Sequence, residues 1–167
     1  MRYSILAVAL VAASATAQVQ PSPWSYFQDE VQTKGLLMAF VEAADGTQFI
    51  LKCDKSGKRS VYAMVTSPKK LGRPGPIPAS RTVTYRFDGG PPEDGAWRYY
   101  EQYAVALHTT RDRALVKLLE RFGDAKQMEL RLEPLNGAPI TVLFEIAGAQ
   151  DAIARVFESC EDENPVG

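Results

Sequence analysis

Apolar and polar residues alternate most clearly near the C-terminus, between Ile140 and Cys160. Every second position is apolar at first: Ile140, Val142, Phe144 and Ile146. This period is typical of a strand with one buried face. After Gly148 the apolar spacing becomes three and four residues, at Ile153, Val156, Phe157 and Cys160. That spacing forms one stripe of a helix, so the sequence predicts a strand, then a helix that ends at a cysteine.

Shorter runs of the same kind predict further elements earlier in the chain. We expect strands at residues 36–42, 47–53, 61–66, 81–88, 97–107 and 128–132, because turn residues separate these runs. Thr110 is the expected N-cap of a helix, and Gly123 is its expected end. Its apolar stripe consists of Leu115, Leu118, Leu119 and Phe122.

The order of these elements predicts an α+β fold. Strands joined by short turns favour antiparallel pairing, and the absence of alternating strands and helices argues against a parallel sheet. We therefore expect a mostly antiparallel β-sheet, arranged as two packed sheets or as a sandwich, with two α-helices in the C-terminal half. The hydrophobic content of 46% agrees with a packed core.

The chain of 167 residues is expected to hold one domain behind a cleavable leader. Arg2, an apolar run and a small-x-small sequence at 15–17 predict a signal peptide over residues 1–17. Pro21 and Pro23 make residues 18–35 an irregular N-terminal segment. The domain itself is expected at 36–160, followed by an acidic tail at 161–167. The predicted localisation is periplasmic or secreted, without stable membrane insertion after cleavage.

Export decides how the two cysteines are interpreted. In an oxidising compartment Cys53 and Cys160 are most simply a disulfide, which would join an early strand to the last helix. Two buried free thiols are the alternative.

Charge is unevenly distributed although the net charge is −1. The segment 52–81 is basic, and Lys69, Lys70 and Arg73 are its candidate binding residues. Such a segment can dock an acidic protein, a lipid surface or a wall polymer. It is also compatible with a solvated hairpin and loop. Two proline- and glycine-rich loops, 67–80 and 89–95, are further candidates for contact with a partner.

The search for catalytic chemistry gives no assembled site. His108 is the single histidine, so a histidine-based zinc site is not predicted, and no nucleotide-binding or hydrolase motif is present. We predict no catalytic residue, no cofactor, no metal and no nucleic-acid partner. Arg86 and Asp88 lie two residues apart on one predicted strand, where they can form a structural ion pair or a small charged binding site.

Several stretches resemble the small exported family associated with type VI secretion, known as TagO or VasI. They are the signal peptide, "FILKC" around Cys53, "VTYRFD" at 83–88, "MELRL" at 128–132 and "FEIAGAQDAIARVFESC" at 144–160. The resemblance implies a non-enzymatic periplasmic accessory protein with a protein partner in the cell envelope. It assigns no catalytic residue.

Two other functions are compatible with the sequence. The first is a periplasmic inhibitor or binding module that uses loops 67–80 and 89–95. The second is a small hydrolase that depends on His108.

Overall fold

The computed structural model describes residues 22–28, 30–31 and 34–167. The predicted signal peptide lies outside the described residues, as do residues 18–21 of the predicted N-terminal segment. Within the described part, the elements follow one another as β1 (Ser25–Gln28), β2 (Leu37–Glu42), β3 (Gln48–Cys53), β4 (Val61–Thr66), β5 (Ala79–Phe87), β6 (Glu93–Tyr99), β7 (Tyr103–Ala106), α1 (Ala114–Leu119), β8 (Gln127–Leu132), β9 (Ile140–Glu145) and α2 (Ala149–Ser159).

These strands form one sheet, in the order β1-β2-β3-β4-β7-β6-β5-β8-β9. Every neighbouring pair is antiparallel. The predicted α+β fold, with a mostly antiparallel sheet and two helices in the C-terminal half, is therefore confirmed. The two sheets that we expected are continuous, because β4 pairs with β7 and joins the two halves by hydrogen bonds.

The continuous sheet bends so that strands from its two ends share one core. The ring of Phe49 in β3 lies 6.1 Å from that of Phe144 in β9 and 5.6 Å from that of Phe122, which follows α1. Helix α2 adds Ile153, Val156 and Phe157 to the same buried cluster. Apolar burial between facing halves of the sheet supplies the main stabilisation, as it would between two separate sheets.

Strand β1 was missed by the sequence analysis, which treated residues 18–35 as irregular. The strand begins after the prolines and pairs with β2, with Tyr26 opposite Ala39. Trp24 anchors its start: the indole is buried, and Nε1 donates a hydrogen bond to the carbonyl of Ile146 at 3.3 Å. Pairing with an existing strand outweighs the weak local propensity of a four-residue segment.

Three further boundaries differ from the prediction. Strand β6 begins at Glu93, inside the loop expected at 89–95, because residues from Glu93 onward pair with β5. The N-cap of α1 is Arg113 rather than Thr110. A turn delays the helix: the Thr109 hydroxyl accepts from the Asp112 N–H at 2.9 Å, and the Asp112 carboxylate accepts from the Ala114 N–H at 3.1 Å. Helix α1 also ends at Leu119, well before Gly123.

Candidate functional site

The predicted disulfide between Cys53 and Cys160 is confirmed. Cys53 is the last residue of β3 and Cys160 follows α2, and their Cα atoms are 6.4 Å apart. Both cysteines are buried. The Gly57 N–H donates to the Cys160 carbonyl at 2.8 Å, so the covalent bond and this hydrogen bond together hold the β3–β4 turn against the end of α2.

Part of the predicted acidic tail has a structural role that the sequence analysis did not find. The Asp162 carboxylate accepts hydrogen bonds from the backbone N–H groups of Arg59, Ser60 and Val61, at 2.7, 2.9 and 3.2 Å. Arg59 has a positive φ of 57°, which is unfavourable for a non-glycine residue. The three hydrogen bonds to Asp162 stabilise the turn in this conformation. Asp162 therefore closes the same junction as the disulfide.

Arg86 and Asp88 do not pair with each other. Arg86 is on the exposed face of β5 and contacts Glu129 of β8, with Nη2–Oε1 at 2.7 Å. Asp88 follows β5 at a φ of 49° and accepts from the Lys126 and Gln127 N–H groups, at 3.0 and 2.8 Å. Each side chain thus has another partner, and these contacts tie β5 to β8.

The candidate residues of the basic loop lie in different settings. Lys70 forms an ion pair with Glu101, with Nζ–Oε1 at 2.8 Å. Lys69 and Arg73 are exposed. Between them Leu71 is buried, and its N–H and carbonyl bond to the Glu101 carbonyl and the Leu135 N–H. The loop is therefore anchored at Leu71, and the exposed residues flank that anchor.

His108 follows β7 and is half-buried. Burial lowers the pKa of this imidazole, and the nearby Asp162 carboxylate partly opposes that shift. Nδ1 is buried and has no hydrogen-bond partner among the described residues. A general base needs a hydrogen-bonded nucleophile and an orienting group, and the structure places neither at Nδ1.

The outer face of the first half of the sheet carries a row of apolar side chains. Strand register aligns Phe40, Ile50, Met64 and Val105 across β2, β3, β4 and β7. Ile50 and Val105 are each only 7% exposed, although they point away from the main core cluster. Phe40 and Met64 are half-buried.

Further apolar and aromatic side chains border this row. Phe27 of β1 lies opposite Met38 of β2 and is 47% exposed. Tyr62 and Tyr103 stand at the two ends of the face, on β4 and β7. We call this surface the apolar outer face: Phe27, Met38, Phe40, Ile50, Tyr62, Met64, Tyr103 and Val105.

The second half of the same sheet has a polar outer face. The register aligns Thr84, Arg131 and Thr141 across β5, β8 and β9. Here inward apolar residues alternate with outward polar ones, as in a sheet that faces water on one side. Leu143, 51% exposed, is the exception. One sheet therefore has two chemically different outer surfaces.

The sequence did contain a signal for the apolar outer face. Residues 36–41 and 61–65 are uninterrupted apolar or aromatic runs, and such runs are typical of strands buried on both faces. The strands themselves were predicted from these runs, but the cover on their second face was not.

The structure also brings the two proline- and glycine-rich loops to one cleft. The cleft has a volume of about 650 Å³ and opens between β5, β6 and the start of α1. Of the residues predicted in these loops, Pro78 precedes β5, Ser80 lies in β5, and Asp94 and Gly95 lie in β6, and all four line the cleft. A Cβ atom on Gly95 would lie 3.0 Å from Trp97 Nε1 and 3.2 Å from Tyr85 Cε1, so the absence of a side chain lets these two buried rings pack against the strand.

Basic side chains dominate the other walls of the cleft. Arg98 comes from β6, Arg111 and Arg113 from the turn before α1, and Lys117 from α1 itself. Sequence analysis missed this cluster, because it concentrated on segment 52–81. The only sequence signal is the basic spacing in residues 111–117.

No metal-binding cluster of three or more His, Cys, Asp or Glu residues occurs in the described part of the chain. Among the same residues, none of the helices has the length and apolar character needed to span a membrane. Comparison of the chain with protein-family models, curated proteins and solved structures finds no match.

Proposed function

We propose that this protein is an exported, non-enzymatic binding module of the cell envelope, whose apolar outer face docks a protein partner. The observation that carries the proposal is the contrast between the two outer faces of one sheet. A contiguous apolar patch on an otherwise polar surface marks an interaction site more often than chance exposure. Phe, Tyr and Met are enriched at such interfaces.

Charge around this face does not select an acidic or a basic partner. Lys52 lies on the same face of β3, and Lys69 and Lys70 follow the end of β4. Asp54 and Glu101 each pair with one of these lysines, and the exposed Glu42 on the same face of β2 offsets the charge of Lys69. The partner we propose is therefore an envelope protein that presents a mainly apolar surface.

The disulfide supports the cellular setting of this proposal. A disulfide that closes 107 residues is typical of exported domains and rare in the cytosol. A link to type VI secretion, as in the TagO or VasI family that the sequence resembles, belongs to the same proposal.

Site-specific photocrosslinking in intact cells tests the docking surface. A benzophenone amino acid at Phe40 should give one crosslinked product with another envelope protein. The same probe at Thr141, on the polar outer face, should give none. Equal products at both positions, or none at Phe40, would contradict the proposal. A crosslinked product that consists of two copies of this chain would show that the face mediates self-association instead of binding to a different protein.

A matched pair of substitutions adds a quantitative test. Met64→Lys places a charge on the apolar outer face, and Thr84→Lys places the same charge on the polar outer face. Capture of the crosslinked partner should fall at least tenfold for Met64→Lys and stay within twofold for Thr84→Lys. Free energies of unfolding measured for both variants separate lost binding from lost folding.

Loop 67–80 supports a second candidate, an inhibitor that inserts into the cleft of another enzyme. Ile77 is 87% exposed while Leu71 anchors the loop base, an arrangement that presents an apolar residue on a fixed support. Ile77→Asp distinguishes the candidates: it should abolish partner capture only if the loop, rather than the apolar outer face, makes the contact.

A further inference from the structure

The cleft between β5, β6 and α1 borders the apolar outer face, because Arg98 of the cleft lies opposite Val105 in the strand register, and the residues of the cleft are more polar. Two carboxylates and four cationic side chains line it. The carboxylates already have partners: Asp94 accepts from the Thr84 hydroxyl at 2.7 Å, and Asp112 accepts from the Ala114 N–H at 3.1 Å. Both carboxylates keep their negative charge, but they offset only two of the four cations, so the lining has a net positive charge.

The four cations are exposed to solvent, and their ion pairs within the described residues are few. Arg98 reaches Asp112 only at 3.6 Å, which exceeds normal hydrogen-bond length. No ion pair joins Arg111, Arg113 or Lys117 to a carboxylate of the described residues. Like charges gathered around one concave volume repel one another, and an anion placed between them removes that repulsion.

A smaller cavity of about 380 Å³ lies beside this cleft. Both cavities are lined by Ser80 and Ala96, and the smaller one also by Arg81. The Nε of Arg81 is buried and has no hydrogen-bond partner among the described residues. A buried donor without an acceptor is costly. Glu133 also lines this cavity, but it accepts from Arg131 at 2.9 Å.

We propose that this cleft binds a small multivalent anion with carboxylate or phosphate groups. Arg111, Arg113 and Lys117 hold its charged groups, and Arg98 adds a fourth cation. Arginine suits both kinds of oxyanion because its planar guanidinium donates two parallel hydrogen bonds to either. The volume admits a ligand the size of a tricarboxylate or a short phosphate chain, with one group directed toward Arg81.

Two probes test the proposal on the mature protein at low ionic strength, where charge pairing is least screened. Citrate represents the carboxylates and inorganic pyrophosphate the phosphates, and glucose serves as the uncharged control. Saturable binding of either anion by calorimetry, with amide shifts at residues 95–98 and 111–117, supports the site. The anion that binds more tightly, citrate or pyrophosphate, identifies the ligand class. Binding of neither anion, or shifts confined to other regions, overturns it.

Variants separate a built site from general surface charge. Arg111→Glu with Arg113→Glu should weaken binding at least tenfold. Lys55→Glu with Lys126→Glu makes the same change of charge at exposed positions that do not line the cleft, and should alter binding less than twofold. Equal weakening by both pairs would overturn the proposal.

An uncharged variant tests the cavity itself. Ala96 is exposed and lines both volumes, so Ala96→Phe fills them without changing charge. Binding should fall at least tenfold while the chain remains folded by far-UV circular dichroism. Unchanged affinity in a folded Ala96→Phe variant would show that the anion does not enter the cleft. If Ala96→Phe does not fold, Ala96→Val supplies the same test, with a smaller expected loss of about threefold.

Discussion

The carboxylate of Asp162 accepts a hydrogen bond from the backbone N–H of Arg59 at 2.7 Å, across 103 residues of sequence. Arg59 holds a left-handed φ of 57°, which is unfavourable for a residue with a side chain. The contact lies beside the disulfide and fixes the β3–β4 turn in place. The residues after α2 are therefore part of the domain rather than a free tail.

Removing this carboxylate should destabilise the whole domain. Asp162→Ala leaves three backbone donors without their acceptor, and we expect a loss of about 2–3 kcal/mol in the free energy of unfolding. Asp162→Asn keeps one acceptor oxygen and should lose roughly half as much. Urea unfolding monitored by tryptophan fluorescence measures both values. Glu163→Ala, at the exposed neighbouring residue, is the control and should change stability by less than about 0.5 kcal/mol.

The disulfide should contribute more than any single hydrogen bond. It joins residues 107 apart, and closing a loop of that length in the unfolded chain corresponds to about 4–5 kcal/mol in the chain-entropy model. We expect the double variant Cys53→Ala with Cys160→Ala to lower the free energy of unfolding by about that amount. Dithiothreitol should destabilise the natural protein to a similar degree.

The double variant supplies its own control, because it has no disulfide left to reduce. Its unfolding midpoint should not move when dithiothreitol is added. If reductant shifts the variant as much as the natural protein, the effect does not come from this bond.

Asp88 should matter for stability and not for binding. Its carboxylate accepts from the Lys126 and Gln127 N–H groups, and its φ of 49° is one that Asn also tolerates. We expect Asp88→Ala to cost about 1–2 kcal/mol and Asp88→Asn clearly less. Crosslinking of the proposed partner through Phe40 should be the same in both variants. A lost crosslink in the folded Asp88→Asn variant would restore Asp88 as a binding residue.

Arg86 provides the comparison for that experiment. It pairs with Glu129 on an exposed sheet face, where both side chains remain partly in water. Exposed ion pairs contribute about 0.2–1 kcal/mol, so Arg86→Ala should be milder than Asp88→Ala. The reverse order of the two losses would contradict this assignment of roles.

Sequence periodicity predicted the elements whose pattern is strong and local. Strand β9 and helix α2 follow the predicted change of period near Gly148, and the disulfide was predicted from two cysteines in a chain expected to be exported. Strands β1 and β6 were missed in whole or in part, because pairing with β2 and β5 imposes extended structure that propensity does not favour at Gly95. Register between distant strands is likewise set by tertiary contacts.

The candidate sites depended even more on tertiary placement. Arg86 and Asp88 lie two residues apart in sequence, yet they make separate contacts: Arg86 pairs with Glu129, and Asp88 accepts a hydrogen bond from the Gln127 N–H. Conversely, Arg98 and Lys117 are far apart in sequence and line one cleft. Spacing along a single strand cannot reveal such a cluster. The apolar outer face was detectable, because uninterrupted apolar runs require cover on both sides of a strand.

The half-buried His108 predicts how stability depends on pH. Burial lowers its pKa in the folded protein below the usual value, so the unfolded chain binds more protons near that pH. The contribution of His108 to the free energy of unfolding is therefore fully present above about pH 6.5, the ordinary pKa of histidine. It is lost as the pH falls through the lowered pKa of His108 in the folded protein.

His108→Gln removes that component while keeping a polar side chain of similar reach. The free energy of unfolding of the natural protein should rise between pH 5 and pH 7, and the slope should be smaller in the variant. Urea titrations at intervals of half a pH unit measure both curves. Identical slopes would mean that His108 has the same proton affinity in both states, and the buried Nδ1 would then not explain the pH response.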